Sequence, residues 1–459
     1  MSDTSQHVHE HRSRETEGEL KDAERTDTGV VAERAVLVGL LLPGKEATGT
    51  RYDPLAELAS LAEAAGAVVV GRMIQKRPKI CASTYIGSGK VGELAAYTDE
   101  KQADLIIFDD DLSPSQIREI EEITQRRVID RTELILDIFA SRARTHAAKL
   151  QVELAQLEYT SPRLRGMWTH LERIAGAGGG TSAGTVGAIG TRGPGETQIE
   201  IDRRIVQRRV SFLRQQIADI DRRKLREVKA RRDFFTVGLV GYTNAGKSTL
   251  LNALTNAGAY VADLLFATLD TKTRRWDLGG GQTVLLSDTV GFVRNLPHRL
   301  VASFRATLEE TIHSNLLLHV IDAASHDAAS QMKAVEDVLA ELNCQDIPTI
   351  KVLNKSDLIE DGSDAHYLRL SLPDAVEISA LTGKGLDVLT QKVVDQVRSR
   401  YVTLTLEADS ANGKLFSYIS KYGHILRQDY VEGRARLLVR LPTAEVQRVI
   451  DLGGTITPS

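Results

Sequence analysis

Nine residues in the second half of the chain could do phosphate chemistry. Gly241, Tyr242, Thr243, Asn244, Ala245, Gly246, Lys247, Ser248 and Thr249 fit Gly-x-x-x-x-Gly-Lys-Ser. The two glycines let backbone N–H groups wrap around phosphate oxygens, and a helix opening at the end of the loop adds positive potential. Lys247 is expected to reach a β- and a γ-phosphate, and the Ser248 hydroxyl to hold Mg²⁺. The context such a loop requires is present: 236–240 reads as a buried strand and 249–255 as the helix that follows. Asp288, Thr289, Val290 and Gly291 follow another strand-like run at 284–287. A carboxylate at a strand end beside this loop can hold Mg²⁺, usually through water, and the Gly291 amide can sense a γ-phosphate.

A second group of residues could read a base. Asn354, Lys355, Ser356 and Asp357 close a strand at 349–353. Guanine offers N1–H and N2–H₂ on one edge, and the Asp357 carboxylate accepts both. Adenine sets an acceptor at N1 against that carboxylate, and rejection by unpaired buried polar groups can reach ~10⁴-fold. Ser379, Ala380 and Leu381 follow a further strand, and the Ala380 amide is expected on guanine O6.

In this order and at these spacings, the set resembles the G domain of P-loop GTPases. The resemblance implies a switch threonine, Thr268, within Phe266, Ala267, Thr268, Leu269 and Asp270, whose hydroxyl completes the Mg²⁺ shell when GTP is bound. Thr271 and Thr273 are rivals for that role. A closer match comes from the residues 241–249, 266–270 and Asp288-Thr-Val-Gly-Phe-Val293, together with Gly193-Pro-Gly-Glu-Thr-Gln198. Behind a helical hairpin and an N-terminal α/β domain, these look like the HflX family over about 35–398. HflX proteins are cytoplasmic GTPases that bind the large ribosomal subunit, and some split ribosomes under stress. The resemblance therefore implies GTP and GDP as ligands, rRNA as a partner, a cytoplasmic location and a monomer off the ribosome. It assigns catalysis to Lys247, Thr268 and Gly291. Two other readings stand beside ribosome splitting: an assembly factor on immature large subunits, and a regulator whose hairpin binds a protein.

Two positions depart from the commonest pattern. Phe292 stands where Ras-type enzymes carry a Gln that orients the attacking water, so the intrinsic rate is expected to be low and a group must come from a partner. Asn244 lies where some P-loop GTPases ligate K⁺ beside the phosphates; alternatively its amide braces the loop through its own backbone. Elsewhere, Tyr85-Ile-Gly-Ser-Gly-Lys90 is a Gly-x-Gly-Lys without the rest of a phosphate loop, read as a helix-capping turn, with a second nucleotide or RNA-phosphate site as the alternative.

The elements that must position these residues fall into five stretches. Residues 1–34 are polar and lack aromatic side chains, which is the composition of a disordered tail. From 35 to 131, strands at 35–42, 67–73, 104–108 and 128–130 alternate with helices at 54–65, 89–97 and 114–125, which argues for a parallel α/β sheet. From 132 to 233 two heptad seams occur, Ala143, Ala147, Leu150, Leu154, Leu157 and Val206, Val210, Leu213, Ile217, Ile220. They predict an antiparallel hairpin with one helix from about 132 to 160, ~44 Å long, and another from about 196 to 232, ~55 Å long. Glycines at 176–184 form its tip. Residues 141–232 hold 19 Lys and Arg against 9 Asp and Glu, a net of +10 in a chain whose total is −4. Such a rod would neutralise nucleic-acid phosphates. Residues 234–398 are the GTPase domain, and 399–459 read as a small α+β domain with a strand at 401–407, a helix at 413–421, two strands around Gly433 and a short helix after Pro442.

Composition excludes other classes. With 459 residues, 42% hydrophobic and 26% charged, the chain is neither disordered throughout nor a single core. No apolar run approaches the ~20 residues of a membrane helix, and no signal peptide is visible at the start. Two cysteines, Cys81 and Cys344, match no zinc spacing and no disulfide framework.

Overall fold

The computed structural model describes residues 32–43, 53–161, 198–230, 235–255, 266, 272–279, 282–294, 312–359, 363–431 and 433–457. Residues 1–31 of the tail expected over 1–34, the glycine tip at 176–184, Gly193 to Thr197 and the candidate switch residues Ala267, Thr268, Leu269, Asp270 and Thr271 lie outside them, whereas Arg34, expected in the tail, begins the first strand.

The N-terminal sheet has the order β2-β1-β3-β4, from β1 (Arg34–Leu41), β2 (Val68–Lys76), β3 (Leu105–Phe108) and β4 (Arg127–Asp130), all parallel. Strand β1 is buried on both faces: Ala35 and Leu37 join one apolar cluster, while Val36, Val38 and Leu40 join another. Both faces are covered, as a parallel sheet requires. Helix α1 (Ala56–Ala64) packs on the first face, and α2 (Ser88–Glu100) and α3 (Pro114–Thr124) on the second. The α3 start follows from its sequence: Ser113 accepts from Gln116 N, Gln116 Oε1 accepts from Ser113 N, and Pro114 occupies the first turn.

The hairpin departs from the expectation in one respect. The stretch expected as a single helix from 132 is two: α4 (Arg131–Arg142) and α5 (His146–Thr160). Asp130 caps α4 by accepting from Glu133 N at 3.0 Å. The Thr145 side chain caps α5 by accepting from Ala148 N, and Ala143 takes an extended conformation between them. A new N-cap ends one helix and starts another regardless of seam spacing. Ala143 packs in the N-terminal cluster, not in the hairpin. The seam proper begins at Leu150: Leu150, Leu154 and Leu157 meet Val206, Val210, Leu213, Ile217 and Ile220 of α6 (Gln198–Ala230). Arg209 forks onto Glu153 at 2.7 and 2.9 Å, and Arg214 reaches Glu158 at 2.8 Å. Glu153 and Arg209 each precede a seam residue, and Glu158 and Arg214 each follow one.

The central sheet has the order β10-β9-β8-β5-β7-β6. Its strands are β5 (Thr236–Gly241), β6 (Lys272–Gly279), β7 (Gln282–Asp288), β8 (Leu316–Asp322), β9 (Thr349–Asn354) and β10 (Val376–Glu377). All neighbours are parallel except β6 and β7. Its helices are α7 (Lys247–Thr255), α8 (Ala328–Glu341), α9 (Ser363–Ser371) and α10 (Leu386–Ser399). The motif residues therefore stand together at the C-terminal ends of β5, β7 and β9, where open α/β sheets bind ligands.

The last stretch is β11 (Tyr401–Asp409), α11 (Gly413–Tyr422), β12 (His424–Val431), β13 (Arg434–Pro442), α12 (Val446–Asp451) and β14 (Thr455–Thr457). The order β12-β13-β11-β14, all antiparallel, is the ferredoxin-like β-α-β-β-α-β arrangement. Strand β14 is an element that sequence reasoning missed.

Candidate functional site

The phosphate loop is built by backbone conformations few residues tolerate. Gly241 has φ 154°, and a Cβ there would lie 2.2 Å from the Val320 carbonyl oxygen of β8. Gly246 has φ 90°, and a Cβ there would lie 2.2 Å from Asn354 Nδ2. Both glycines are thus required by close approach as well as by dihedral. Lys247 begins α7 and is buried. Its Nζ donates to the Gly241 and Tyr242 carbonyls at 3.0 and 2.7 Å. Burial pushes its pKa down to about 8, against a smaller upward pull from Asp288. The ammonium is therefore held where a polyanion would offset the cost of burying it.

The Ser248 hydroxyl donates to Asp288 Oδ2 at 2.6 Å, and Asp288 is fully buried at the end of β7. This pairs two hard oxygen donors of the kind Mg²⁺ takes. Thr289, next along, turns away: its hydroxyl donates to the Leu239 carbonyl at 2.6 Å. Val290 is buried. A Cβ on Gly291 would lie 2.8 Å from Thr243 Cγ2 and 3.0 Å from Lys247 Nζ, so only glycine fits there. Phe292 pairs with the loop through the backbone: Thr243 N donates to its carbonyl at 2.8 Å, and its own N–H reaches the Gly241 carbonyl at 3.2 Å.

One side chain ties the base-reading motifs to the phosphate loop. Asn354 Nδ2 donates to the Ala245 carbonyl at 2.8 Å, and Asn354 Oδ1 accepts from Ala380 N at 2.9 Å. The Ala380 amide, expected on guanine O6, donates here to Asn354. Buried Ser379 accepts from Thr382 N at 3.1 Å, which shapes the turn, while Leu381 is exposed. Lys355, at φ 62°, forms an ion pair with Asp322 at 2.7 Å. Asp357 is exposed beside half-buried Ser356. Thr249 follows Ser248 on the first turn of α7.

Among the switch candidates, Phe266 is buried at φ 55°, its ring edge-on to Phe139 of α4 at 4.6 Å. Thr273 lies in β6, where its hydroxyl meets Ser287 Oγ at 3.0 Å across the ladder. That strand position argues against it as the switch threonine. The Gly-x-Gly-Lys turn opens α2: Gly87 N donates to Gln75 Oε1 at 2.9 Å, and Lys90 pairs with Glu93 one turn on at 2.5 Å. Those partners suit the capping reading. Asn244 is exposed at φ 59°, and its side chain makes no hydrogen bond among the described residues, so the brace read from sequence lacks its bond.

Sequence reasoning missed a polar cluster that joins this site to the N-terminal sheet. Glu57 of α1 lies 2.8 Å from Arg131 and 2.9 Å from Arg294, and accepts from the Tyr242 hydroxyl. Arg131 also pairs with Asp109 at 2.7 Å, and Arg294 N donates to Tyr242 Oη at 2.7 Å. Burial alone would raise the Glu57 pKa; the two guanidinium groups and the hydroxyl outweigh it and hold the carboxyl below its ordinary value. Tyr242 is pushed up, by burial first and then by Glu57. With Glu57 and Tyr242 185 positions apart in sequence, no local pattern could have pointed to the pair.

Comparison with known proteins agrees with this geometry. Residues 52–140 match the family described as GTP-binding GTPase N-terminal, 142–231 the GTP-binding GTPase middle region, and 236–355 the 50S ribosome-binding GTPase family. The chain is 41% identical over 434 residues to the GTPase HflX of Escherichia coli, spanning 93% of this chain and 97% of that protein. It is 43% identical over 405 residues to the GTPase HflX of Lacrimispora saccharolytica, spanning 88% and 92%. A GTP-binding protein from Sulfolobus solfataricus, solved with GDP, aligns over 80% of this chain and 99% of its own at 24% identity and a TM-score of 0.40. At such identity, over nearly the whole of both chains, the protein belongs to the HflX family of GTPases.

Proposed function

We propose that this GTP hydrolase is Mg²⁺-dependent, and that its nucleotide state governs binding to the large ribosomal subunit. The single observation that carries the reading is the Asn354 staple, which holds the phosphate loop and both base-reading motifs at one sheet edge beside Ser248 and Asp288. The adjacent oxygen donors of Ser248 and Asp288 fit Mg²⁺, with Thr268, which lies outside the described residues, expected to join them. When bound, the ion would offset charge on the β- and γ-phosphoryl oxygens.

The chain's own groups do the rest. Lys247 exchanges two backbone carbonyls for phosphate oxygens, whose negative charge offsets the cost of its burial. The Gly291 amide faces the terminal phosphoryl group, and Asp357 accepts the two N–H groups of guanine. A water attacks the γ-phosphorus, the bond to the β–γ bridging oxygen breaks, and GDP and phosphate leave. Phe292 orients no water: it is buried in an apolar cluster with Tyr242 and Val293. The intrinsic rate is therefore low, and the ribosome supplies what is lacking. A potassium ion on Asn244 is a second source of positive charge near the bridge.

The ribosomal partner is supported by the match of residues 236–355 to 50S ribosome-binding GTPases and by the +10 charge of 141–232. Splitting of intact ribosomes is the function this arrangement supports best, in the cytoplasm and by a monomer. No described helix is long and apolar enough to cross a membrane. Sedimentation tests this directly. Intact ribosomes should separate into subunits when the protein is added with GTP, and stay joined without it. Binding only to immature large subunits would mark an assembly factor, and no co-sedimentation would end the ribosomal reading.

A further inference from the structure

Strand β12 leaves one edge without a neighbouring strand. It runs from His424 to Val431 and, among the described residues, pairs only with β13, at one end of the order β12-β13-β11-β14. Its Leu426, Tyr430 and Val431 are 55%, 62% and 64% exposed. An apolar free edge is a template for another strand, and proteins commonly blunt it with charge, proline or a bulge. The ladder does shift register between Ile425 and Arg427, which leaves Leu426 without a partner across it. From Arg427 to Val431, however, the pairing is regular. The charges on the strand are one of each sign, Arg427 and Asp429, 2.9 Å apart and both exposed.

The order of these residues says what the edge fits. Residues opposite one another in a ladder share a face. Gln428 and Tyr430 lie opposite Leu437 and Ala435, which belong to the apolar cluster of this sheet. Arg427 and Asp429 lie opposite Leu438 and Arg436, on the other face. Around Gln428 the chain reads Leu426, Arg427, Gln428, Asp429, Tyr430. Laid antiparallel on a copy of itself about Gln428, it sets Arg427 opposite the partner's Asp429 and Leu426 opposite the partner's Tyr430. A two-fold axis repeats both contacts, as an isologous interface requires. Moving the axis to Arg427 or to Asp429 would set like charges face to face, which is destabilising.

We infer that the β12 edge pairs with the β12 edge of a second copy of this chain, antiparallel about Gln428, so that two four-stranded sheets become one continuous sheet. This goes beyond the GTPase reading and does not depend on it. The species proposed to act on the ribosome stays a monomer; the pairing concerns the free protein and revises the monomer expected off the ribosome.

Sedimentation equilibrium of the full chain, from low to high concentration, should show monomer passing into dimer. Arg427→Asp puts two carboxylates on the strand, and Asp429→Arg puts two guanidinium groups there. Each variant alone should dimerise about tenfold more weakly than wild type. An equal mixture of the two should recover the wild-type affinity, because every carboxylate then meets a guanidinium. The exchange of both residues in one chain, Arg427→Asp with Asp429→Arg, should recover it as well. GTP binding, measured alongside, should be the same in all of them. A monomer at every concentration would overturn the inference. So would a dimer indifferent to the charge changes, or single variants whose loss the mixture does not repair.

Discussion

At the scale of single residues, the site divides into groups that hold the loop and groups that meet the ligand. Asn354 holds the loop, and Asp357 is the residue we propose to meet the base. Asp357→Asn should place an amide donor against a guanine N–H, so affinity for GTP should drop and xanthosine triphosphate should gain. Competition between the two nucleotides reads this, and an unchanged preference for GTP would remove Asp357 from the base site. Asn244, free of hydrogen bonds among the described residues, leads to a salt experiment. At fixed ionic strength, hydrolysis should run faster in KCl than in NaCl, and Asn244→Ala should erase the difference; equal rates in both salts, with and without ribosomes, would leave K⁺ without a role. His319 of β8 predicts an acid limit. Burial, with Lys351 and Lys247 adding to it, pushes its pKa down to about 3. The folded protein thus keeps a neutral imidazole that the unfolded chain protonates near 6.5. The stability this supports is present above 6.5 and is lost as pH falls from 6.5 towards 3, amounting to about 2 kcal/mol by pH 5. Urea melts at pH 7.5 and 5 should show a shallower pH slope in His319→Leu than in wild type.

At the scale of elements, short-range signals were legible and long-range ones were not. The helix expected from 114, the glycine loop at 241–246 and the Leu150, Leu154 and Leu157 part of the seam all rest on signals within one or two turns of chain, and the structure has each. The break at Ala143 was hidden because Ala143 and Ala147 continue the seam spacing by coincidence, while the Thr145 cap competes with it. Strand β14 has three residues and gains its stability from pairing with β11, so nothing local announces it. The bond from Ala380 N to Asn354 was hidden for the same reason, since the two are 26 residues apart. The hairpin supplies the test at this scale. Gln in place of Arg222, Arg223, Lys224 and Arg226 should weaken ribosome pelleting, leave GTP binding intact and flatten the fall of binding with salt. Unaltered pelleting would take rRNA contact away from this rod.

At the scale of the whole molecule, apolar packing draws its own boundaries. One cluster runs from Leu37, Leu55 and Leu61 of the N-terminal layer through Phe139 to Phe266, Phe292, Val293 and Leu339 of the GTPase layer. The Glu57, Arg131, Arg294 and Tyr242 contacts lie along the same junction. The last sheet stands apart, with a cluster drawn wholly from 402–452. Charge and motif pattern could mark where segments begin, but not which of them share a core.

That shared core has a calorimetric consequence. Heat cannot melt the first sheet and leave its neighbour intact, because Phe292 and Phe266 would lose the surface that buries them. A scan of the full chain should show one large endotherm for both sheets and a separate, smaller one for residues after 400. Deleting 400–459 should remove only the smaller peak, whereas Phe139→Ala should move the large one downward as a single transition, by several degrees for ~3 kcal/mol.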